Sequence, residues 1–257
     1  MRNSHTTLVI TTFSEDGYNL YGQKFVETWC RFWPENYRLR IYAEHDFTVD
    51  DDRVEIVDIH KESAKLVNFK KRSLAQAENT KNKKTKNKFL KTVKWCHKVF
   101  AIDHALQGSD NYVIFLDGDT YTKNTVKHNE LEDLCEDNLF AVHFEKLQGM
   151  THFETGLIIF NCRHADMPTL KQNLTSGYDT DEIYELPKSW DGFWFAVLAD
   201  RLNLPVRDLA NGRFRGVFTH PVVNRILVHE AGNTKYHGTE YNKFTGRKKG
   251  EEYRFNS

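Results

Sequence analysis

Several things are scarce in this chain of 257 residues, and each scarcity excludes something. No apolar run approaches the ~20 residues needed to span a bilayer. The opening "MRNSHTTLVITTF" has a short apolar stretch but no signal-peptide cleavage region, so it reads as a first strand, with a cytoplasmic location as the default expectation. On that expectation the sequon at Asn173–Thr175 has no role. Cysteine is sparse: Cys30, Cys96, Cys135 and Cys162 are scattered without a C-x-x-C pair, which argues against a zinc–cysteine site and a redox motif and makes four free, buried thiols the expectation. No internal repeat or low-complexity linker divides the chain. With 39% hydrophobic and 28% charged residues, it has the composition of a globular protein with a sizeable core.

Net charge is also lacking, but the formal zero conceals a segregation. Between Lys65 and Lys98 stand twelve Lys or Arg against one acid, Glu78. Such a stretch is either a solvated surface or a contact for an anionic partner. Its centre, Asn79–Lys88, shows no apolar periodicity and reads as a long exposed loop; the basic loop is placed at 79–94.

What is present is an alternation of strands and helices. "LVITT", "RLRIYAE", "RVEIVDI" and "YVIFL" have strand composition. Helical spacing runs from about Tyr18 to Phe32 and from Phe89 to Leu106. "NLFAVHFE" and "GLIIFN" supply further strands, Asp191–Leu202 a short helix, and "VVNRILVHEAG" a late strand ending at His229. The pattern predicts an α/β fold with a doubly wound, Rossmann-like sheet in one domain.

The stretch "NYVIFLDGDTYTKN" carries the strongest chemistry. Four apolar residues, Val113–Leu116, run directly into Asp117, Gly118 and Asp119. An acidic turn is ordinary, but the carboxyl end of a buried strand is where open α/β sheets hold ligands. Two carboxylates there suit Mg²⁺ or Mn²⁺, and Gly118 lets the backbone approach a ligand closely. Haloacid-dehalogenase-type phosphatases also end a strand in Asp-x-Asp, but with Thr or Val where this chain has Tyr121, and near the chain start. Further on, "HEAGNTK" places His229, Gly232 and Lys235 at spacings of three, an imidazole and an ammonium suited to a metal-bound diphosphate. His237 competes with His229 as third ligand.

Taken together, "FLDGDT", "ETGLIIFN" and "HEAGNTK" occur in an order that resembles the GT-A fold glycosyltransferases, closest in pattern to family 8, the group of glycogenin and the lipopolysaccharide glycosyltransferases. The resemblance implies a single GT-A domain with a mixed sheet, 1–125 forming the nucleotide-binding half and 126–257 the acceptor half. It implies transfer of a hexose from a nucleotide sugar, a UDP-sugar by preference, with retention. Asp117, Asp119 and His229 would bind Mn²⁺, while Gly232 and Lys235 hold the diphosphate. Thr11, Thr12 and Tyr18 would contact the base, and Lys98 the phosphate or sugar. Glu154 and Asp191 would line the sugar pocket and are the two carboxylates to test for catalysis. The chain departs from the family pattern at Glu154, which replaces an Asn, at Gly192, which replaces a Gln, and at Tyr236–His237, which replace Pro-Trp.

The acceptor expectation divides between a glycan or lipopolysaccharide and a hydroxymethylated base in DNA, the latter because the basic stretch could track a phosphate backbone. A non-catalytic nucleic-acid- or sugar-binding protein on a transferase scaffold should have lost an Asp or the His, and neither is lost. A sugar-nucleotide pyrophosphorylase should have a glycine-rich basic loop after the first strand, which "FSEDGYN" is not.

Overall fold

The computed structural model describes residues 7–147, 149–210 and 216–230, together with the backbone of 241–242 and 247–248. In chain order the strands are β1 (Thr7–Phe13), β2 (Tyr37–Ala43), β3 (Val54–Asp58), β4 (Tyr112–Leu116), β5 (Thr120–Thr122), β6 (Phe140–Leu147), β7 (Met150–Asn161), β8 (Val206–Asp208) and β9 (Leu227–His229). The α-helices are α1 (Glu15–Gly17), α2 (Gln23–Phe32), α3 (Ile59–Glu62), α4 (Ala64–Asn79), α5 (Lys83–Leu106), α6 (Met167–Asn173), α7 (Ser176–Asp179), α8 (Asp191–Arg201) and α9 (Pro221–Ile226).

Seven strands form one sheet in the order β3-β2-β1-β4-β7-β6-β8. β1 pairs in parallel with β2 and β4, whereas β7 is antiparallel to both β4 and β6. The α/β class and the mixed sheet expected from the sequence are both present. β4 has no exposed face: Val113, Ile114, Phe115 and Leu116 are all at 1% exposure or less. That accounts for its unbroken apolar run, since a strand covered on both faces has no polar alternation. One core packs α5, α8 and the short helices against the sheet; a second packs α2 and α9 on the opposite face.

The chain builds β1, β2 and β3 in one direction, then returns to lay β4 on the other side of β1. The carboxyl ends of β1 and β4 therefore flank the point where strand order reverses, the place in such sheets where a crevice opens.

Two sequence expectations are corrected. The basic stretch is not a loop over 79–94. α4 continues to Asn79 and α5 begins at Lys83. Ser63 caps α4 by accepting from Leu66 N, and Asn82 caps α5 by accepting from Thr85 N at 3.1 Å. Lysine is a good helix former, so a solvated helical turn needs no apolar stripe to persist when a cap starts it and a buried continuation holds it. Several of the basic side chains are also engaged within the protein: Lys65 pairs with Asp179, Arg72 with Asp181, and Lys88 donates to Tyr184 O. The late strand "VVNRILVHEAG" likewise begins later than expected: Pro221 opens helix α9, and among the described residues of that stretch Leu227–His229 form the strand.

The four cysteines are free; Cys96 and Cys135 are buried and Cys30 and Cys162 half-buried. No described helix is long and apolar enough to cross a membrane.

Candidate metal and nucleotide site

The turn after β4 is closed by Thr120 N donating to Asp117 O, and Asp117 N donates in turn to Gly156 O on β7. A side-chain carbon at Gly118 would lie 2.6 Å from Phe13 Cε1 and 3.1 Å from Thr12 O. Glycine is thus required for the turn to close against the end of β1. β5 then pairs with β9, placing Thr120 opposite His229, and Glu230 N donates to Asp119 O. This two-stranded ribbon carries His229 across some hundred residues of sequence to the aspartates. His229 Nε2 lies 3.0 Å from Asp119 Oδ1 and 4.0 Å from Asp117 Oδ2, and one donor atom from each of the three residues falls within 4.8 Å of the others. Phe218 stacks on the imidazole with centroids 4.6 Å apart.

A cation already stands beside them. Lys98, on α5, places Nζ 2.8 Å from Asp117 Oδ1 and 3.0 Å from Asp191 Oδ2, and donates to Thr155 O and Thr155 Oγ1. The Thr155 hydroxyl donates to the Asp191 carboxylate. Burial alone would favour the neutral amine of Lys98, but Asp117 and Asp191 outweigh it and raise its pKa. Burial pushes the Asp117 carboxyl up, against the pull of Lys98. Burial also opposes the charged form of His229, yet its bond to Asp119 raises the imidazole above its ordinary value. Glu154 is raised by desolvation despite accepting Val217 N at 2.7 Å.

These groups line a cavity of about 450 Å³ at the β1/β4 crevice. Of the expected site residues, Thr12, Lys98, Asp117, Gly118, Asp119, Glu154, Asp191 and His229 all face it. Thr11 lies fully buried in β1 instead, its hydroxyl without a hydrogen bond among the described residues. Tyr18 is stacked on Phe47 at 4.0 Å, and Tyr21, one turn on, is the tyrosine lining the cavity. Gly232, Lys235 and His237 lie outside the described residues. Sequence reasoning did not name Thr155, Trp95 or His152, which also line the site. Thr155 sits inside "ETGLIIFN", where a lone threonine carries no signature.

The chain is similar to glycosyltransferases of known structure. Mouse xyloside xylosyltransferase 1 in its apo form matches with a TM-score of 0.49 and 11% identity over 79% of this chain and 84% of that one. A glycosyltransferase involved in glycosylation of the major capsid of PBCV-1 gives 0.45 and 14%, over 89% and 96%. The galactosyltransferase LgtC, in complex with donor and acceptor sugar analogs, gives 0.45 and 11%, over 88% and 87%. No family profile matches the chain, and no curated protein matches it in sequence.

Two carboxylates and an imidazole on one side of a polar cavity form a donor set that fits a hard or borderline divalent cation.

Proposed function

We propose that the protein is a metal-dependent glycosyltransferase that moves a hexose from a nucleotide diphosphate sugar, a UDP-sugar by preference, to a hydroxyl of a glycan acceptor, with retention at the transferred carbon. The observation that carries this reading is the convergence of Asp117, Asp119 and His229 at the mouth of the β1/β4 crevice, beside the buried Lys98–Asp191 pair. Asp117, Asp119 and His229 would hold Mn²⁺ or Mg²⁺, and the ion supplies charge neutralisation for a departing diphosphate.

The remaining roles fall to the chain itself. Lys98 provides a second fixed positive charge facing the same space. Asp191 is held by Lys98 and by the Thr155 hydroxyl, which suits it to orient a sugar hydroxyl. Glu154, with one oxygen anchored on Val217 N, lines the cavity from β7. Trp95 and Trp190, in edge contact at 5.8 Å, wall the cavity and limit water at the reacting bond. Thr12 and Tyr21, which line the cavity, would meet the nucleoside.

Calorimetric titration of nucleoside diphosphates, with and without Mn²⁺, tests the reading on the wild type and on Asp119→Asn. Mn²⁺-dependent binding of UDP that is lost in the variant is the expected result. Absence of nucleotide binding by the wild type in both conditions overturns it. Anomeric retention is then read by NMR of the product.

A further inference from the structure

A second group of ligand-type side chains lies on the β6–β7 hairpin. The antiparallel register sets His143 opposite Glu154 and Glu145 opposite His152, so all four project from the same face. Donor atoms of His143, Glu145 and Glu154 fall within 4.8 Å of one another. His143 is 3% exposed, and its Nδ1 has no hydrogen-bond partner among the described residues. Its Nε2 lies 3.9 Å from Glu145 Oε1, while His152 Nε2 lies 3.1 Å from Glu145 Oε2.

Zinc bonds of 2.0–2.1 Å at tetrahedral angles set ligand atoms about 3.3 Å apart, so donor atoms within 4.8 Å of one another need adjustments of at most about 1.5 Å to close on an ion. One imidazole and two carboxylates are a zinc-type donor set, and a histidine bonded to a ligating carboxylate is the kind of outer partner that orients such ligands. The contrast with a third cluster is instructive. Glu44, His60 and His97 also converge, but there the Lys70 ammonium sits 2.7 Å from His60 Nε2 and 3.0 Å from His97 Nε2, so that cluster is filled by its own cation.

We propose that His143, Glu145 and Glu154 form a second divalent-metal site, of zinc type, separate from the Asp117–Asp119–His229 site, with His152 holding the Glu145 carboxylate. An ion there ties β6 to β7 and fixes the strand that presents Glu154 and Thr155 to the cavity.

The test uses the full chain stripped by chelator, then dialysed against Zn²⁺ and assayed for bound metal. Wild type, Asp119→Asn, Glu145→Gln, His143→Gln and Asp119→Asn/Glu145→Gln are compared, each checked for native circular dichroism. The Glu145 side chain is 38% exposed, so its amide variant preserves the packing. Asp119→Asn should keep one equivalent that Glu145→Gln and His143→Gln lose, and Zn²⁺ should raise the melting temperature of Asp119→Asn by several degrees but not that of the double variant. Zinc retained by Asp119→Asn regardless of Glu145 and His143, or no zinc retained by Asp119→Asn, overturns the proposal. Failure of the donor-site reading shows up separately, as loss of Mn²⁺-dependent nucleotide binding in a protein that still holds the Glu145-dependent zinc.

Discussion

The Lys98 ammonium lies 2.8 Å from Asp117 Oδ1, joining helix α5 to the residue that follows the central strand β4. With Asp191 at 3.0 Å, it is a cation held by two acids, and all three side chains are at 30% exposure or less. Removing one partner of such a pair leaves charge without compensation in a poorly solvated place. Lys98→Met should cost about 3–5 kcal/mol, seen as a lower urea midpoint. Combining it with Asp191→Asn should recover part of that loss. An unchanged midpoint in Lys98→Met would show that the carboxylates are solvated well enough to stand alone.

His229 reaches the aspartates only through the β5–β9 ribbon. Its replacement by Ala removes a proposed ligand and the hydrogen bond that orients Asp119. Loss of an outer-shell partner alone lowers metal affinity about 10–100-fold, so His229→Ala should weaken Mn²⁺ binding by at least about 100-fold. Competition with a fluorescent Mn²⁺ chelator measures it. An affinity within threefold of wild type would remove His229 from the ligand set.

Gly192 stands where no side chain fits. A side-chain carbon there would sit 2.1 Å from Phe153 O, an overlap that only backbone movement of α8 or β7 relieves. Gly192→Ala should cost about 1–3 kcal/mol and displace the adjacent Asp191. The expected signature is a melting temperature lower by several degrees together with weakened nucleotide-sugar binding.

His97 gives a pH dependence with a definite sign. Burial lowers its pKa to about 4, with Glu44 pulling up and Lys70 and His60 pushing down. Desolvation likewise lowers the pKa of His60. The unfolded chain takes up a proton near the ordinary value of 6.5, whereas the folded one does not until the pH is far lower. The stabilising contribution is therefore complete above about pH 6.5 and is lost as pH falls toward 4, amounting to a loss on the order of 3 kcal/mol. Urea midpoints between pH 7.5 and 4.5 should fall more steeply for wild type than for His97→Gln. Parallel curves would show that another group sets the slope.

The strands were legible because burial writes itself into composition. β1, β4 and the second half of β7 sit between two cores and read as near-continuous apolar runs, whereas β2 alternates Arg38 and Arg40 with the buried Tyr37, Leu39 and Ile41. Helix α5 was legible only from Phe89 onward, where Val93, Cys96, Val99 and Phe100 face the core or its margin. Its first turn is solvated and stands by its Asn82 cap and by continuity, neither of which produces periodicity. Asp117 and Asp119 were visible for the same reason as β4, since carboxylates at the end of a buried strand are locally conspicuous. Thr155, Trp95 and His152 were not, because their residue types are ordinary and only their position at the cavity is informative.

The sequence by itself determined the α/β alternation, the acidic end of β4 and the set of residue types available to it, because these depend on local burial and propensity. Tertiary structure decided which residues meet. Lys98 joins Asp117 and Asp191 because α5 packs beside the end of β4 and against α8, which Asp191 opens. His229 joins Asp119 because a three-residue ribbon pairs there. The hairpin register puts Glu145 between two imidazoles. Each contact spans from a few to more than a hundred residues of chain, and pairings at that range are set by sheet order and packing, which no local pattern encodes.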